Sequence, residues 1–323
     1  MRMGSLGMQV SFCQIFVSLS FLFNGVSLDQ AGETPAGLGE MVRIQQSVQA
    51  VLEPCRRATV GIDGGGSGVI VSRDGLILTA AHVSVISGRP VAVTLSDGRR
   101  VKATSLGLNR FADAGLVKID ESGDWPFVPL ARHGQRLAGD WCFALGHPSG
   151  INLERGVVLR VGRLIGSHAL VMRTDCHLIG GDSGGPLFNL KGQVIGIHSR
   201  VSEEIDDNYH SPIEAFIRHW QLLLDGEEIE PGGDPEAGFL GVKSELSLHG
   251  AVIREVVDGT PAAVSPLKND DVISKVGGVP VFHSGELGWA LRRHRPGTTI
   301  PIEIIRGSRA MRFQVKLGRA PSE

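Results

Sequence analysis

Gly68-Val69-Ile70-Val71-Ser72-Arg73-Asp74-Gly75-Leu76-Ile77-Leu78-Thr79 sets two short apolar runs on either side of an Arg-Asp-Gly turn. An Asp-Gly pair between two such runs predicts a β-hairpin. The unit recurs downstream. A run at residues 91–95 passes through Ser96-Asp97-Gly98 into another at 101–106, and further short runs cover 116–119, 141–145, 157–161, 169–173 and 194–198. Short strands at regular spacing, with no long helical stretch among them, predict an all-β sandwich or barrel. The 44 glycines and 5% aromatic content suit tight turns between short strands.

Outside this region the period changes. Apolar residues at helical spacing predict a short helix over 41–52 and another over 212–224, the latter carrying Ile213, Phe216, Ile217, Trp220, Leu223 and Leu224. The stretch 225–236 is acidic and rich in Gly and Pro, which marks a linker. A second, smaller unit follows, with strands expected at 239–243, 251–256, 271–276, 300–305 and 311–317. Ser284 is a candidate N-cap for a helix over 284–294, and Thr260-Pro261-Ala262-Ala263-Val264 predicts a shorter helix with proline at its first position. The expected division is therefore 1–27 signal peptide, 28–57 spacer and short helix, 58–224 β-rich domain, 225–236 linker and 237–320 small α+β domain.

Composition narrows the function classes. With 42% hydrophobic and 20% charged residues the chain is globular, and its net charge of −2 gives no argument for a nucleic-acid partner. The N-terminus combines a basic Met1-Arg2, an uncharged apolar run over 8–23 and small residues at Gly25-Val26-Ser27. That is the layout of a secretory signal peptide cleaved after Ser27, with an uncleaved anchor as the alternative. Beyond residue 27 no segment is long and apolar enough to span a bilayer. Export to the periplasm or outside the cell follows. After cleavage Cys55, Cys142 and Cys176 remain, an odd number with no zinc spacing, so at most one internal disulfide forms and buried free thiols are the default.

Three polar residues in the β-rich region carry chemistry. Ser183 sits in Gly180-Gly181-Asp182-Ser183-Gly184-Gly185-Pro186-Leu187, where glycines free the backbone to aim neighbouring N–H groups at one spot. His82 closes the run Leu78-Thr79-Ala80-Ala81-His82-Val83, and Asp113 precedes the run at 116–119. A serine hydroxyl needs a base within hydrogen-bond reach, and that base needs a carboxylate to orient it. Each residue alone reads as an ordinary turn or structural residue; the three together, in the order His, Asp, Ser on an all-β pattern, are far more specific.

These stretches resemble the chymotrypsin-fold serine proteases, and more closely the HtrA/Deg family of exported proteases. Gly66-Ser67-Gly68-Val69-Ile70-Val71 through His82-Val83 resembles the family's histidine region, and Ala112-Asp113-Ala114-Gly115-Leu116-Val117-Lys118-Ile119 its aspartate region. Ala144-Leu145-Gly146-His147-Pro148-Ser149-Gly150 is similar to its glycine–proline turn, and Thr174-Asp175 with Gly181 to Leu187 to its serine region. Over about residues 58–224 the resemblance implies two six-stranded β-barrels with the site in the cleft between them. It implies Ser183 as nucleophile, His82 as base, Asp113 as orienter, and the N–H groups of Gly181 and Ser183 as oxyanion hole. No metal or cofactor is called for. Phe239-Leu240-Gly241-Val242, with Gly259 to Ala263 and Gly277-Gly278, resembles a PDZ domain of the HtrA type. Such a domain captures an extended C-terminal peptide as an added strand. The resemblance also implies a homotrimer acting on unfolded or damaged proteins. The alternatives are a protease-fold chaperone or adaptor that binds polypeptides with little or no hydrolysis, and an esterase.

The chain departs from the family at several points. Asp182 stands where most HtrA proteins have Asn, and no Ile-Val activation site precedes the first barrel, so its carboxylate must find another donor. His177 is expected at the floor of the primary specificity pocket, which argues against a strict preference for Lys or Arg. Residues 199–208 are expected as a long charged loop. In the small domain, residues 265–271 lack the glycines usual there, which leaves the turn geometry open.

Overall fold

The computed structural model describes residues 36–132, 137–167, 170–201, 208–231, 236–247 and 250–320. The expected signal peptide, the spacer up to residue 35 and residues 202–207 of the charged loop lie outside them.

The architecture is mainly β: two six-stranded barrels followed by a small α+β unit. The first barrel is built from β1 (Thr59–Ile62), β2 (Gly66–Ile70), β3 (Leu76–Thr79), β4 (Pro90–Thr94), β5 (Arg100–Asn109) and β6 (Ala114–Ile119), and closes where β5 pairs with β6. The hairpin read from residues 68–79 is present, with Val69 opposite Leu78 and Ile70 opposite Ile77. Its turn is fastened by the Gly75 N–H to the Ser72 carbonyl at 3.0 Å, and Gly75 has φ +87°. A Cβ there would also lie 2.8 Å from Trp125, so glycine is required on both counts. Strand β5 alternates exposed and buried residues, as a strand with one face on the core must.

The second barrel is a closed ring of β7 (Trp141–Gly146), β8 (Val158–Ser167), β9 (Met172–Thr174), β10 (Pro186–Asn189), β11 (Val194–Val201) and β12 (Asn208–Pro212). Phe143 and Phe188, fully buried on β7 and β10, stack at 5.0 Å and anchor its core. Burial of such a side chain contributes about 1.5–3 kcal/mol. Two stretches differ from the expected pattern. Ser199 to Val201 continue β11 and Asn208 opens β12, so both ends of the expected charged loop are strand. Strand β12 carries no apolar run. Its buried Asn208, His210 and Ser211 are satisfied by hydrogen bonds, which hydropathy does not register.

Helices are few. α1 (Ala36–Ala58) runs longer than 41–52 at both ends and includes Pro54. Val48 and Cys55 on it pack into the core that holds Phe143 and Phe188. The short α2 (Ala81–Ser84) carries His82. The helix expected over 212–224 is two pieces, α3 (Ile213–Arg218) and α4 (Trp220–Leu224), broken at His219 with φ −110° and ψ 18°. His219 is buried and its ring is bonded sideways, so the helical pattern yields to a polar contact.

The linker is not free chain. β13 (Glu228–Ile229) pairs in parallel with the end of β5, opposite Leu108 and Asn109. Beyond it lie β14 (Gly238–Phe239), β15 (Val242–Ser247), β16 (Gly250–Val256), β17 (Val272–Val276), β18 (Val279–Pro280), α5 (Ser284–Arg292), β19 (Thr299–Arg306), β20 (Arg309–Lys316) and β21 (Gly318–Arg319). Trp289, Ala290, Leu287 and Leu291 of α5 are buried in one core with Ile273, Ile302 and Ile304 of the sheet. The N-cap of α5 is His283 rather than Ser284: His283 Nδ1 accepts the Gly285 N–H at 2.9 Å. Residues 260–264 form a turn, not a helix. The Ala262 N–H is taken by the Leu240 carbonyl, and only i to i+3 bonds follow. The glycine-poor turn at 265–271 is solved by Asp270 at φ +68° and by buried Asp271 receiving the Arg306 guanidinium. Among the described residues no helix is long and apolar enough to cross a membrane.

Candidate active site

His82 and Asp113 are each placed beside a strand end by a local device. The chain exits β3 at Ala80 in extended geometry, and the Ala80 carbonyl accepts the N–H groups of Val83 and Ser84 at 3.1 Å, so His82 falls on a single helical turn. Asp113 ends the turn between β5 and β6. Asn109 starts that turn, its Oδ1 accepting the N–H of Phe111 at 3.0 Å and of Ala112 at 3.2 Å. Asp113 itself has φ +50°, and the Ser211 hydroxyl holds the turn from the second barrel through the Ala112 carbonyl at 2.5 Å.

The structure brings His82 and Asp113 together. His82 Nδ1 lies 3.0 Å from Asp113 Oδ1 and 2.9 Å from Oδ2, and the His82 backbone N–H donates to Oδ1 at 3.1 Å. The Ser199 hydroxyl donates to Oδ2 at 2.6 Å. The bond to Asp113 raises the His82 pKa above its ordinary 6.5, against the opposing effect of burial. Burial pushes the Asp113 carboxyl up, and the bonds from His82 and Ser199 together outweigh it, so Asp113 stays below the usual carboxylate value. In the neutral ring a proton on Nδ1 serves the carboxylate and leaves Nε2 as acceptor.

Ser183 Oγ points elsewhere. It donates to the Ser199 carbonyl at 3.3 Å, and among the described residues no hydrogen bond joins it to His82. The loop around it is well braced. Ser67 on β2 reaches across from the first barrel: its N–H donates to the Ser183 carbonyl at 2.7 Å and its hydroxyl to the Gly181 carbonyl at 2.8 Å. Both carbonyls are thus turned to one side. The N–H groups of Gly181 and Ser183 have no acceptor among the described residues, whereas the intervening Asp182 N–H donates to the Ile179 carbonyl at 3.1 Å. Gly181 has φ +96°, and a Cβ there would sit 2.5 Å from the His147 carbonyl, so both backbone and space demand glycine.

Asp182 finds its donor in Arg160 of β8. The guanidinium is bidentate, Nη1 to Oδ1 and Nη2 to Oδ2, both at 2.9 Å, and the Ile179 N–H adds a third bond at 3.0 Å. Asp182 is fully buried, with 17% of the Arg160 side chain exposed. The sequence alone does not name this partner; its one signal is an arginine inside the apolar run at 157–161. Nor does it single out Ser67, one more small residue in a glycine-rich strand, or Ser199, which falls in a stretch expected as a loop.

A cavity of about 30 Å³ adjoins Ser183, lined by Leu178, Ile179, Gly180, His198 and Arg200 among others. His177 is exposed and does not line it; buried Leu178, fixed by its N–H to Asn208 Oδ1 at 2.8 Å, faces the cavity instead. Behind it His198 and His210 share a bond between their Nδ1 atoms at 3.0 Å. His198 Nε2 donates to the Leu145 carbonyl and His210 Nε2 accepts from Thr174, which uses every ring nitrogen with both rings neutral. Burial drives both pKa values down, His210 to about 3. A second cavity of about 220 Å³ lies beside His82 and Asp113. A cavity of about 670 Å³ lies against Trp141, Arg132 and Lys191, away from all three site residues.

Cys55, Cys142 and Cys176 are buried and unbridged, with Cys142 Sγ and Cys176 Sγ 4.0 Å apart. Among the described residues no group of three or more His, Cys, Asp or Glu side chains is arranged to hold a metal ion. In the small unit Gly241 has φ +86°, its carbonyl accepts the Val257 N–H at 3.0 Å, and the Leu240 carbonyl accepts that of Ala262 at 2.8 Å. The N–H groups of Leu240 and Gly241 have no acceptor among the described residues. Phe239 and Val242 flank them on β14 and β15.

Residues 66–197 match the trypsin-like peptidase domain model and residues 238–317 the PDZ domain model, which defines the class as a trypsin-like peptidase fold joined to a PDZ domain. The "Probable periplasmic serine endoprotease DegP-like" of Pseudomonas fulva is 31% identical over 275 residues, 80% of this chain and 56% of the relative. The protein of the same description from Chlamydia trachomatis is 31% identical over 275 residues, covering 80% and 54%. Among solved structures, the HtrA-type protease AlgW with tripeptide aligns over 87% of this chain and 98% of that one with TM-score 0.56 and 24% identity. The serine endoprotease from Yersinia pestis aligns over 86% and 98% with TM-score 0.54 and 24% identity. The chain belongs to the HtrA/DegP-like trypsin-like serine proteases with a PDZ domain. It spans about half the length of the curated relatives it matches.

Proposed function

We propose that this chain is a serine endopeptidase that hydrolyses peptide bonds of unfolded or damaged polypeptides after export to the periplasm or cell exterior. Ser183 is the nucleophile, His82 the general base and then acid, and Asp113 its orienter. In the first step Ser183 Oγ swings from the Ser199 carbonyl to His82 Nε2, gives up its proton there and bonds the scissile carbonyl carbon. Negative charge on the carbonyl oxygen meets the N–H groups of Gly181 and Ser183. His82 returns the proton to the leaving amine, and water repeats the sequence to release the acyl group.

The observation that carries this reading is the pair of unoccupied N–H groups at Gly181 and Ser183, held in register by Ser67, beside a His82 ring gripped by both oxygens of Asp113. The reading divides the chain into a protease domain at 58–224, a linker at 225–236 and a PDZ-like domain at 237–320. In the last, the loop Phe239-Leu240-Gly241-Val242 takes the carboxylate of an extended C-terminal peptide, for which the unbonded N–H groups of Leu240 and Gly241 are the support. Assembly as a homotrimer belongs to the same proposal and is checked by molar mass in solution.

A second reading, a polypeptide-binding chaperone or adaptor, draws on the Ser183 hydroxyl facing Ser199 rather than His82. One comparison separates them. Parent chain and Ser183→Ala are incubated with an unfolded protein, with and without C-terminal peptides. Cleavage by the parent alone supports the protease; equal, background-level cleavage by both under every condition leaves the binding role.

A further inference from the structure

The turn that presents Asp113 is gripped from outside the barrels. Asn109 is fully buried, and its two amide ends do different jobs. Oδ1 accepts the N–H groups of Phe111 and Ala112, so Nδ2 must face the other way, and there it donates to Glu286 Oε1 at 2.8 Å. Glu286 lies in the first turn of α5 in the PDZ domain, with 1% of its surface exposed. Its second oxygen accepts the Phe282 N–H at 2.8 Å and lies 3.9 Å from His219 Nε2. The neighbouring Phe111 ring lies 5.4 Å from that of His283 and in direct contact with Gly285, where any Cβ would overlap it. A carboxylate this deeply buried is costly unless its bonds are made, so it has one seat.

Asp113 needs such a grip. Its φ of +50° is sparsely populated by residues other than glycine and persists only where surroundings over-determine it. We propose that Glu286 is a positioning residue of the protease site: through Asn109 it holds the turn that delivers Asp113 to His82, so the catalytic pair is fully assembled only with α5 seated. This rests on the proteolytic reading above and deepens it, since one buttress of the site is supplied by the PDZ domain.

The test is a bond-preserving exchange. In Asn109→Asp alone, two carboxylates face each other. In Glu286→Gln alone, one side-chain oxygen serves where two had served, and an NH₂ group faces a donor. The double variant, Asn109→Asp with Glu286→Gln, reverses the direction of the bond to residue 286 without losing it, and gives up only the longer contact from Asn109 Nδ2 to His219 Nδ1 at 3.4 Å. One oxygen of the new carboxylate still accepts both N–H groups, and its other oxygen accepts the NH₂ of the new amide. The oxygen of that amide accepts the Phe282 N–H. Peptide hydrolysis is measured for all four chains. Each single variant is expected to lose about tenfold to hundredfold in kcat with KM within about threefold, short of the roughly 10⁴ lost when the orienting aspartate itself is disabled. The double variant is expected to recover most of that loss. Single variants with unchanged kcat, or a double variant no better than its parents, overturn the inference. A second readout needs no turnover: in a Ser183→Ala background, the His82 pKa followed by imidazole NMR should fall toward its ordinary value in Glu286→Gln. An unmoved pKa also overturns it. Failure of the parent chain to exceed Ser183→Ala would instead remove the proteolytic reading, while the NMR titration still decides this one.

Discussion

Replacing Arg160 by Met isolates the ion pair beneath the loop of Ser183, the proposed nucleophile. The guanidinium supplies two of the three described hydrogen bonds to the Asp182 carboxylate, and the residue left behind has no exposed surface. Breaking a buried pair by removing one partner costs about 3–5 kcal/mol, because the remaining charge is stranded. The loop has a way to avoid that cost, which is to swing Asp182 toward water. Such a swing drags the adjoining Gly181 and Ser183 N–H groups out of register. If the whole cost of about 3–5 kcal/mol falls on the shape of the loop, the active fraction drops by about 10² to 4 × 10³, at 1.4 kcal/mol per tenfold. The loss should appear in kcat for peptide hydrolysis and in the rate at which an active-site-directed phosphonate labels Ser183. The denaturant midpoint should fall less than a global loss of that size requires. Asp182→Asn is the companion variant, since an amide needs no cation; combined with Arg160→Met it should restore most of the activity. Wild-type kcat in Arg160→Met would refute the reasoning. So would a double variant as inactive as the single one, because the defect would then not be a stranded charge.

Other outcomes follow from the same geometry. In the proposed mechanism neutral His82 is the base, and Asp113 raises its pKa in the free chain, so the acid limb of the kcat/KM profile should lie above pH 6.5; a limb at or below that value would contradict the pairing. Ser199→Ala removes a short bond to the Asp113 carboxylate and should lower kcat by about tenfold, taking about 1.5 kcal/mol for a bond to a charged group; unchanged kcat would show the bond to be idle. His198 and His210 stay neutral when folded but bind protons when unfolded, so their stabilising contribution is complete above about pH 6.5 and fades as pH falls toward the depressed folded values. His210→Gln should accordingly flatten the fall in urea midpoint between pH 6.5 and pH 4.5; an unaltered slope would exclude the pair as its source. Gly241→Ala places a Cβ against Thr260 at a positive φ, and should abolish binding of a C-terminal peptide, read by fluorescence anisotropy, while cleavage of a short unstructured peptide persists; retained binding would argue against this loop as the carboxylate site.

What could be read in advance depended on sequence distance. The barrels were legible because each hairpin announces itself locally, as Asp74-Gly75 and Asp97-Gly98 do between apolar runs. His82, Asp113 and Ser183 stand out as candidates because each sits in a motif a few residues long. What escaped is what the fold brings together from afar. Arg160 and Asp182 are 22 residues apart, and Asn109 and Glu286 are 177 apart. Strand β12 escaped because buried Asn208, His210 and Ser211 are satisfied by side-chain bonds instead of hydrophobic burial. The helix break at His219 escaped for a related reason, since Ile213 to Leu224 keep helical spacing across it.

The two residues of β13 belong to both halves of the molecule at once. Their backbone completes a ladder beside β5, with the Leu108 and Arg110 N–H groups donating to the carbonyls of Glu227 and Ile229. The Ile229 side chain is buried in the core of the other half, and the Glu228 carbonyl accepts the Trp289 indole N–H at 2.9 Å. No cut between the two halves can therefore be neutral. A protease half ending before Glu227 leaves two donors of its barrel edge without acceptors, and a PDZ half beginning after Ile229 carries a hole where that side chain was and an indole with nothing to bond. The joint is shared masonry, each half holding up part of the other.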